Sequence, residues 1–313
     1  MATAPANPMG PGLLLLEHLN LDVADQKLAF EFYCGILGCC QDTRRPPTKT
    51  LHSNCGFLTQ FHTGVSESKE AQLWRGPIEI VYTQQGLDKV LARLKDSKLI
   101  KKVSEQKKKK TQGRAASIEG PFGNRFILRR STDEEFLYLS NPNHGIRPLS
   151  RESLPLGLSA ITVRCKKGAA KPIAKFYLEV FRFPIRYDHN ATGSGLARTT
   201  IIAANGAQFI YFQEEEGVDS MEDNGEHMAI YIGDFEGCFT RCDKLGLVWI
   251  NPRFVHLDNT KTLNDALSSN AFRIRDIIDP ASGVHLLRLE HEIRSSVHPS
   301  CPLNNLLQKK SCL

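Results

Sequence analysis

Residues 16–38 read LEHLNLDVADQKLAFEFYCGILG, and this stretch decides the fold. Apolar and polar residues alternate from Leu16 to Val23, which is the pattern of a strand with one buried face. From Asp25 to Leu37, apolar residues recur at helical spacing, and Gly38 then favours the end of the helix. The stretch therefore predicts one strand followed by one amphipathic helix.

The same strand–helix pattern recurs in the second half of the chain. Residues 158–164 predict a strand, and residues 171–181 predict a helix with its apolar residues on one face. The pair Phe176-Tyr177 occupies the place that Phe32-Tyr33 occupies in the first helix. Repetition of this kind indicates a fold assembled from copies of one unit.

A second strand–helix pattern also occurs twice. Its strands are predicted at Ile78 to Tyr82 and Met228 to Ile232, and its helices at 86–99 and 235–245. Each copy ends in a Pro–Gly turn and a closing strand, at 126–130 and 284–289. The order strand, helix, strands therefore occurs four times.

The four units predict an α+β protein whose strand–helix–strands units are grouped along the chain as two pairs. The predicted boundaries follow the chain: a first domain at 14–140 (modules 14–76 and 77–131), a linker at 141–155, a second domain at 156–295 (modules 156–216 and 226–295) and a tail at 296–313.

Composition and charge exclude several classes of protein. Of the 313 residues 41% are hydrophobic, and the formal net charge is only +6. The lysine run at 107–110 predicts a solvated loop rather than a nucleic-acid surface. No apolar stretch approaches the length of a membrane span. We therefore expect a small-molecule ligand as partner, with neither nucleic acid nor a membrane, in a monomer or a homodimer.

The nine cysteines follow neither a disulfide framework nor a zinc-binding CxxC spacing. Free thiols are typical of a reducing compartment, which favours a cytoplasmic protein. The last residues, Ser311-Cys312-Leu313, weakly resemble the Ser-Lys-Leu peroxisomal targeting signal, although the central residue differs.

The layout resembles the vicinal-oxygen-chelate superfamily, which includes glyoxalase I and the extradiol dioxygenases. The resemblance is carried by Glu17-His18-Leu19-Asn20-Leu21, Phe32-Tyr33 and Leu37-Gly38, by the turn Gly120-Pro121-Phe122-Gly123-Asn124-Arg125, and by Glu226-His227-Met228-Ala229-Ile230. It covers residues 14–295. The resemblance implies four βαβββ modules paired into two domains, each a curled mixed β-sheet that encloses a cavity with helices outside. The resemblance implies a divalent metal (Fe, Mn, Ni or Zn) held by inward-facing residues of the first and last strands of the modules.

In the first domain the resemblance implies His18 as the ligand on the opening strand. The second position falls on His62 or Gln60, depending on register. The third and fourth positions fall on Pro77 and Ile127, neither of which can bind a metal. The first site is thus expected to keep one or two nitrogen ligands and no carboxylate, with Gln60 as a substrate contact.

In the second domain the opening position falls on Ala160, and His227 fits the third position well. The fourth falls near Leu286 or Leu287, so that Glu290 would reach the site as a base or ligand only through a bulge or register slip. Arg288 is a candidate substrate contact beside it. A triad of two histidines and one carboxylate is therefore not expected within either domain.

Two functions remain open at this point. The first is a metal-dependent glyoxalase-like or dioxygenase-like enzyme that acts on a small vicinal-oxygen substrate. The second is a metal-free protein of the same fold that has lost catalysis and binds a small molecule or a partner chain. The polar stretches at 48–54 and 260–270 are predicted as loops bordering the two cavities.

Overall fold

The structure, a computed structural model, describes residues 12–45, 49–68, 70–100, 102–107, 114–141, 150–223, 225–256 and 259–303. The lysine run beyond residue 107, most of the expected linker (142–149) and the C-terminal tripeptide lie outside the described residues. None of the helices within these ranges has the length and apolar character needed to cross a bilayer.

The four predicted modules are present. The first contains strand β1 (Leu13–Asn20), helix α1 (Gln26–Phe30) continued by a π-helix (Glu31–Ile36), and strands β2 (Cys40–Gln41), β3 (Thr50–Cys55) and β4 (Thr59–Gly64). The second contains β5 (Ile78–Tyr82), α2 (Gln84–Asp96), β6 (Lys102–Lys107), β7 (Arg114–Glu119) and β8 (Arg125–Arg130), followed by α3 (Asp133–Leu139).

The second half repeats this order, except that the fourth module has two strands after its helices instead of three. After a 3-10 turn (Ser150–Glu152), the third module contains β9 (Pro155–Lys166), α4 (Ala170–Phe176) continued by a π-helix (Tyr177–Phe181), β10 (Ile185–Asp188), β11 (Arg198–Ile202) and β12 (Phe209–Glu215). The fourth contains β13 (His227–Ile232), α5 (Phe235–Lys244), a 3-10 turn (Pro252–Phe254), α6 (Leu263–Ser269), β14 (Ala271–Ile278) and β15 (His285–Ser295).

The modules combine into two mixed sheets, which confirms the predicted fold class. A seven-stranded sheet has the order β14-β15-β13-β1-β4-β3-β2, and an eight-stranded sheet has the order β10-β11-β12-β9-β5-β8-β7-β6. In each sheet the opening strands of two modules pair antiparallel at the centre. Each opening strand also lies parallel to the last strand of its own module.

The pairing of modules differs from the expected sequential one. The first module shares its sheet with the fourth, and the second shares its sheet with the third. The four opening strands are similar apolar segments, so the local pattern does not distinguish their partners. Contacts between residues far apart in sequence do distinguish the partners. In the seven-stranded sheet, the Arg294 guanidinium of β15 donates to Glu17 of β1 across 3.1 Å.

Two predicted loops are regular elements instead. Residues 50–55 form β3, because their polar backbone pairs with β4 along its whole length. Residues 263–269 form α6, which begins with a capping box between Thr262 and Asp265. Both stretches look loop-like in sequence because their residues are mostly polar.

An aromatic core joins the two sheets. Phe32 and Tyr33, next to α1, pack against Phe61 of β4 and Phe126 of β8, with ring centroids 4.8–6.2 Å apart. Phe61 and Phe126 belong to different sheets, and all four rings are almost inaccessible to solvent. Aromatic packing of this kind fixes the seven-stranded sheet in position relative to its neighbour.

Candidate metal centre

Three side chains of the seven-stranded sheet meet in one buried cluster, which we call the triad: His18 of β1, His227 of β13 and Glu292 of β15. The Nε2 atoms of His18 and His227 each lie 3.7 Å from Oε2 of Glu292. One candidate donor atom from each residue lies within 4.8 Å of the other two. Within the described ranges, this is the one group of three such residues close enough to hold a metal ion.

Strand register creates the triad. The antiparallel pairing of β1 with β13 sets His18 opposite Ala229. The parallel pairing of β13 with β15 sets Ala229 opposite Glu292. His18 and Glu292 therefore lie in one row across three strands, and His227 lies two residues from Ala229 on the same face of β13.

The environment of His18 keeps its imidazole neutral. Nδ1 of His18 lies 2.6 Å from Oε2 of Glu17. Because an ionised carboxylate only accepts, Nδ1 carries the hydrogen and Nε2 presents its lone pair to the triad. Burial lowers the pKa of His18 to about 3, although the nearby charge of Glu292 acts in the opposite direction. A neutral imidazole is the form that binds metals.

His227 is neutral for a similar reason. Burial, followed by the positive charge of Arg273, holds the pKa of His227 well below its ordinary value. Its Nδ1 makes no hydrogen bond to any described residue and lies 3.9 Å from Oε2 of Glu290. Both nitrogens of this buried ring therefore face the site.

Glu292 is held as a carboxylate by two arginines. Nε of Arg294 donates to Oε1 across 2.6 Å, and Nη2 of Arg273 lies 3.0 Å from Oε2. Burial raises the pKa of Glu292, but the two guanidiniums outweigh it and hold the pKa well below its usual range. Glu292 therefore carries a full negative charge at neutral pH.

Glu290 lies two residues before Glu292 and on the same face of β15. Nη1 of Arg273 donates to its Oε1 across 2.6 Å, and Nδ2 of Asn251 donates to its Oε2 across 2.8 Å. Burial raises the pKa of Glu290 above its ordinary value, despite Arg273. The sheet brings Glu290 to the site by ordinary alternation along β15, with no register shift between β13 and β15.

A short segment, residues 251–254, covers the triad. Asn251 binds Glu290, and the guanidinium of Arg253 pairs with Asp22 at the end of β1. The ring of Phe254 meets His227 edge-on at 5.7 Å and lies 4.9 Å below the guanidinium of Arg273. This cover is anchored to both the first and the fourth modules and shields the triad from solvent.

The remaining predicted site residues lie around the triad. The ring of His62 stacks on His18 at a centroid distance of 3.7 Å, and Nε2 of His62 pairs with Oε1 of Gln60 across 2.9 Å. Gln60 also donates to Asn54 and Asp42. Arg288, two residues before Glu290 on β15, is partly exposed, and its Nε donates to Oδ1 of Asp276 across 3.2 Å.

Sequence reasoning missed Glu292 as a member of a triad because it sought the ligands within sequential module pairs. The structure draws them from the first and fourth modules, so a set of two histidines and one carboxylate is present after all. One signal could have indicated this. The dipeptide Glu-His occurs on the opening strands of these two modules, at Glu17-His18 and Glu226-His227.

The matching face of the eight-stranded sheet holds a different arrangement. Arg129 of β8 bonds to Glu79 across 2.8 Å and to Glu135 of α3 across 2.6 Å. Ser159 of β9 also donates to Glu79. Because one guanidinium binds both carboxylates, this face resembles a structural ion-pair network rather than a metal centre.

The triad fits a divalent metal in both chemistry and geometry. Two imidazole nitrogens and one carboxylate oxygen suit Fe, Mn, Ni or Zn. Metal–ligand bonds of about 2.1 Å place neighbouring donors roughly 3.0–3.4 Å apart. The two separations between histidine nitrogens and the Glu292 oxygen, 3.7 Å each, are a few tenths of an ångström larger. All three donor atoms lie within 4.8 Å of one another, so the side chains would have to move inward to bind an ion.

Comparison with known proteins gives a match of fold. No known family pattern and no curated protein matches the sequence. Among solved structures, glyoxalase I from Zea mays is 13% identical, with a TM-score of 0.57 over 96% of this chain and 95% of that one. A putative dioxygenase from Bacillus subtilis subsp. subtilis str. 168 is 12% identical, with a TM-score of 0.55 over 95% of this chain and 89% of that one.

Proposed function

Since the chain has the two-domain fold of the vicinal-oxygen-chelate proteins, we propose that it is a divalent-metal-dependent enzyme of the glyoxalase or dioxygenase type. One observation carries the proposal: His18, His227 and Glu292 place two neutral imidazoles and a carboxylate around one buried point. These residues would hold the metal. Bound there, the metal would act as a Lewis acid on the oxygen atoms of a small vicinal-oxygen substrate.

The other residues of the site supply binding and proton transfer. Glu290 is the proposed base, because its raised pKa and its position beside His227 allow it to hold a proton close to the triad. Gln60 and Arg288 are proposed substrate contacts at two sides of the site. His62 is proposed to support His18 by stacking, or to add a further nitrogen ligand.

A metal-free function of the same site is the alternative, and one observation favours it. Oε1 of Glu292 already accepts a hydrogen bond from Arg294, and Oε2 forms an ion pair with Arg273. The carboxylate is therefore neutralised without an ion, as in a buried structural ion pair. Such a site would bind a small molecule through the arginines and histidines, without metal chemistry.

Metal binding distinguishes the two functions. Protein purified without chelator, then loaded separately with Fe(II), Mn(II), Ni(II) or Zn(II), is expected to bind one equivalent of at least one ion by elemental analysis. The His18→Ala, His227→Ala double variant is expected to lose that equivalent, because only one strong donor of the triad is left. The dissociation constant, measured by competition with a chelator, quantifies the loss.

His52→Ala is the matched control for this experiment. The His52 ring lies 4.2 Å from that of His62, but Nδ1 of His52 pairs with the carbonyl of Thr50 rather than with the triad. The control should keep its metal. Wild-type protein that binds none of the four ions would contradict the enzyme proposal and leave the metal-free function. His62→Ala, run alongside, shows by its affinity whether His62 is a ligand.

A further inference from the structure

The cover, residues 251–254, lies between His227 and solvent. His227 is only 2% exposed, whereas Arg253 is exposed and Phe254 is half-buried. The cover therefore has one face in water and one face on the site. Neither a divalent ion nor a small ligand can pass between atoms that are already in contact. Access to His227 from this side requires the cover to move.

The cover forms a 3-10 turn outside both sheets. The backbone amides of Arg253 and Phe254 bond back to Asn251, the first to its side-chain oxygen and the second to its carbonyl. The strands below the cover are held instead by ladders of hydrogen bonds with their neighbours. A turn that satisfies its own amides can shift without breaking a ladder, so the cover can be displaced at a lower cost than the strands.

Two polar side chains attach the cover to the rest of the site. Asn251 is buried and donates to Glu290 within the fourth module. Arg253 extends to the first module, where its guanidinium pairs with Asp22. The side chain of Arg253 is 46% exposed, so water can replace the carboxylate when this pair opens. The pair of Arg253 with Asp22, which we call the latch, therefore holds the cover on the first module.

The carboxylate half of the latch is held firmly. The backbone amide of Asp22 donates to Oε1 of Gln72 across 2.7 Å, and its carbonyl accepts from the amide of Gln72 across 2.8 Å. Nδ2 of Asn20 also donates to Oδ1 of Asp22 across 3.3 Å. These bonds keep the carboxylate in place when the guanidinium leaves. Release of the latch therefore moves the cover and leaves β1 where it is.

The latch also positions Phe254. Cζ of Arg253 lies 5.4 Å from the centre of the Phe254 ring, and this ring meets His227 edge-on at 5.7 Å. The guanidinium that binds Asp22 thus lies over the ring that covers His227. When Arg253 is released, Phe254 loses this contact and can move away from the imidazole.

We propose that the cover is a gate over the triad and that the latch sets how often the gate opens. In the open state, which the latch keeps sparsely populated, a divalent ion or a small ligand enters and leaves. Weakening the latch raises the open population, so that entry and exit become faster by the same factor and the affinity changes little. The gate does not depend on the proposed enzyme activity, because it controls access to His227 with or without a metal.

Chemical modification of His227 measures opening in the metal-free protein. Diethyl pyrocarbonate at pH 7 acylates accessible neutral imidazoles, and mass spectrometry of peptides gives its rate at each histidine of the full chain. Arg253→Met and Asp22→Asn are each expected to raise the rate at His227 about fivefold, the effect of losing one partly exposed ion pair. Exposed His189 and core His291 are internal references, and neither of their rates should change.

Arg44→Met is the matched control. The side chain of Arg44 is 52% exposed and pairs with buried Asp42 across 2.6 Å, but both residues belong to the first module. This variant should keep the wild-type rate at His227. The double variant Arg253→Met, Asp22→Asn should react no faster than either single variant, because the two substitutions remove one and the same pair.

Wild-type rates at His227 in both single variants would overturn the inference. Equal acceleration at His227 and His291 would overturn it too, since the whole fold would then be loosened. If a metal binds, its release into excess chelator is expected to be about fivefold faster in Arg253→Met, with the dissociation constant changed less than about twofold. Failure to bind any metal would contradict the proposed function, and the modification rates would still decide whether the gate exists.

Discussion

Glu292→Gln is expected to lower the free energy of unfolding of the metal-free protein by about 3–5 kcal/mol, the cost of removing one partner from a buried ion-pair network. The carboxylate bonds to Arg273 through one oxygen and to Arg294 through the other. The amide that replaces it carries no charge. Both guanidiniums, which lie on β14 and β15, would then be buried with less compensating negative charge.

The same substitution is expected to weaken metal binding by more than about 100-fold, because it removes the only anionic donor of the triad. Urea unfolding of chelator-treated protein measures the first effect, and chelator competition measures the second. Glu216→Gln is a suitable control, since Glu216 forms an exposed pair with Lys167 and should change neither quantity. A Glu292→Gln protein as stable as wild type would show that the arginines do not depend on this carboxylate.

Acidification is expected to destabilise the metal-free protein steeply between pH 6.5 and pH 4. Burial lowers the pKa of His18 to about 3 and that of His291 to about 4, and it also lowers the pKa of His227. In the unfolded chain these histidines take up protons below pH 6.5, whereas in the folded chain they stay neutral. The unfolded state therefore binds more protons in this range, and stability falls as the pH falls.

The free energy of unfolding is expected to depend steeply on pH in this range. Each such histidine contributes about 1.4 kcal/mol per pH unit. Burial also lowers the pKa of His52, His62 and His298, so that the six histidines together give about 8 kcal/mol per unit. Above pH 6.5 both states are neutral at these positions and the contribution disappears. The raised pKa values of Glu226 and Glu290 act in the opposite direction, since the folded state then takes up their protons first, but these are two groups against six.

His291→Gln tests this origin without altering the triad. His291 lies in the core, where Nε2 pairs with the hydroxyl of Tyr177 across 2.5 Å and Nδ1 with the carbonyl of Leu289 across 2.8 Å. Its removal should reduce the slope by about 1.4 kcal/mol per pH unit. His285→Gln changes an exposed histidine on the same strand and should leave the slope unchanged. Urea unfolding at several pH values measures all three proteins, and an unaltered slope in His291→Gln would refute the assignment.

Hydrophobic periodicity determined the elements of the fold. The strand predicted at Ile78 to Tyr82 has those same bounds in the structure, and the helix predicted at 86–99 is observed at Gln84–Asp96. Such patterns are local: a buried face requires apolar residues at the period of the element that carries it, whatever that element packs against. The fourfold repetition of the order was sufficient to indicate the modules and the fold class.

The partner of each module was decided only by the tertiary structure. The opening strands differ in length, from 5 to 12 residues, but share their apolar character, so hydrogen bonding between any two of them satisfies the local pattern. The choice rests on contacts between residues far apart in sequence, such as Arg294 with Glu17 and Arg253 with Asp22. Charge complementarity of this kind leaves no periodic signal.

In the candidate site, too, the sequence determined some features and the tertiary structure decided the others. The resemblance placed His18 and His227 on opening strands, and both lie on such strands in the structure. That the two histidines face each other, and that Glu292 completes the set, depends on the register of β1, β13 and β15. Register is fixed by the packing of whole sheets, and a shift of one residue would turn each of these side chains to the opposite face.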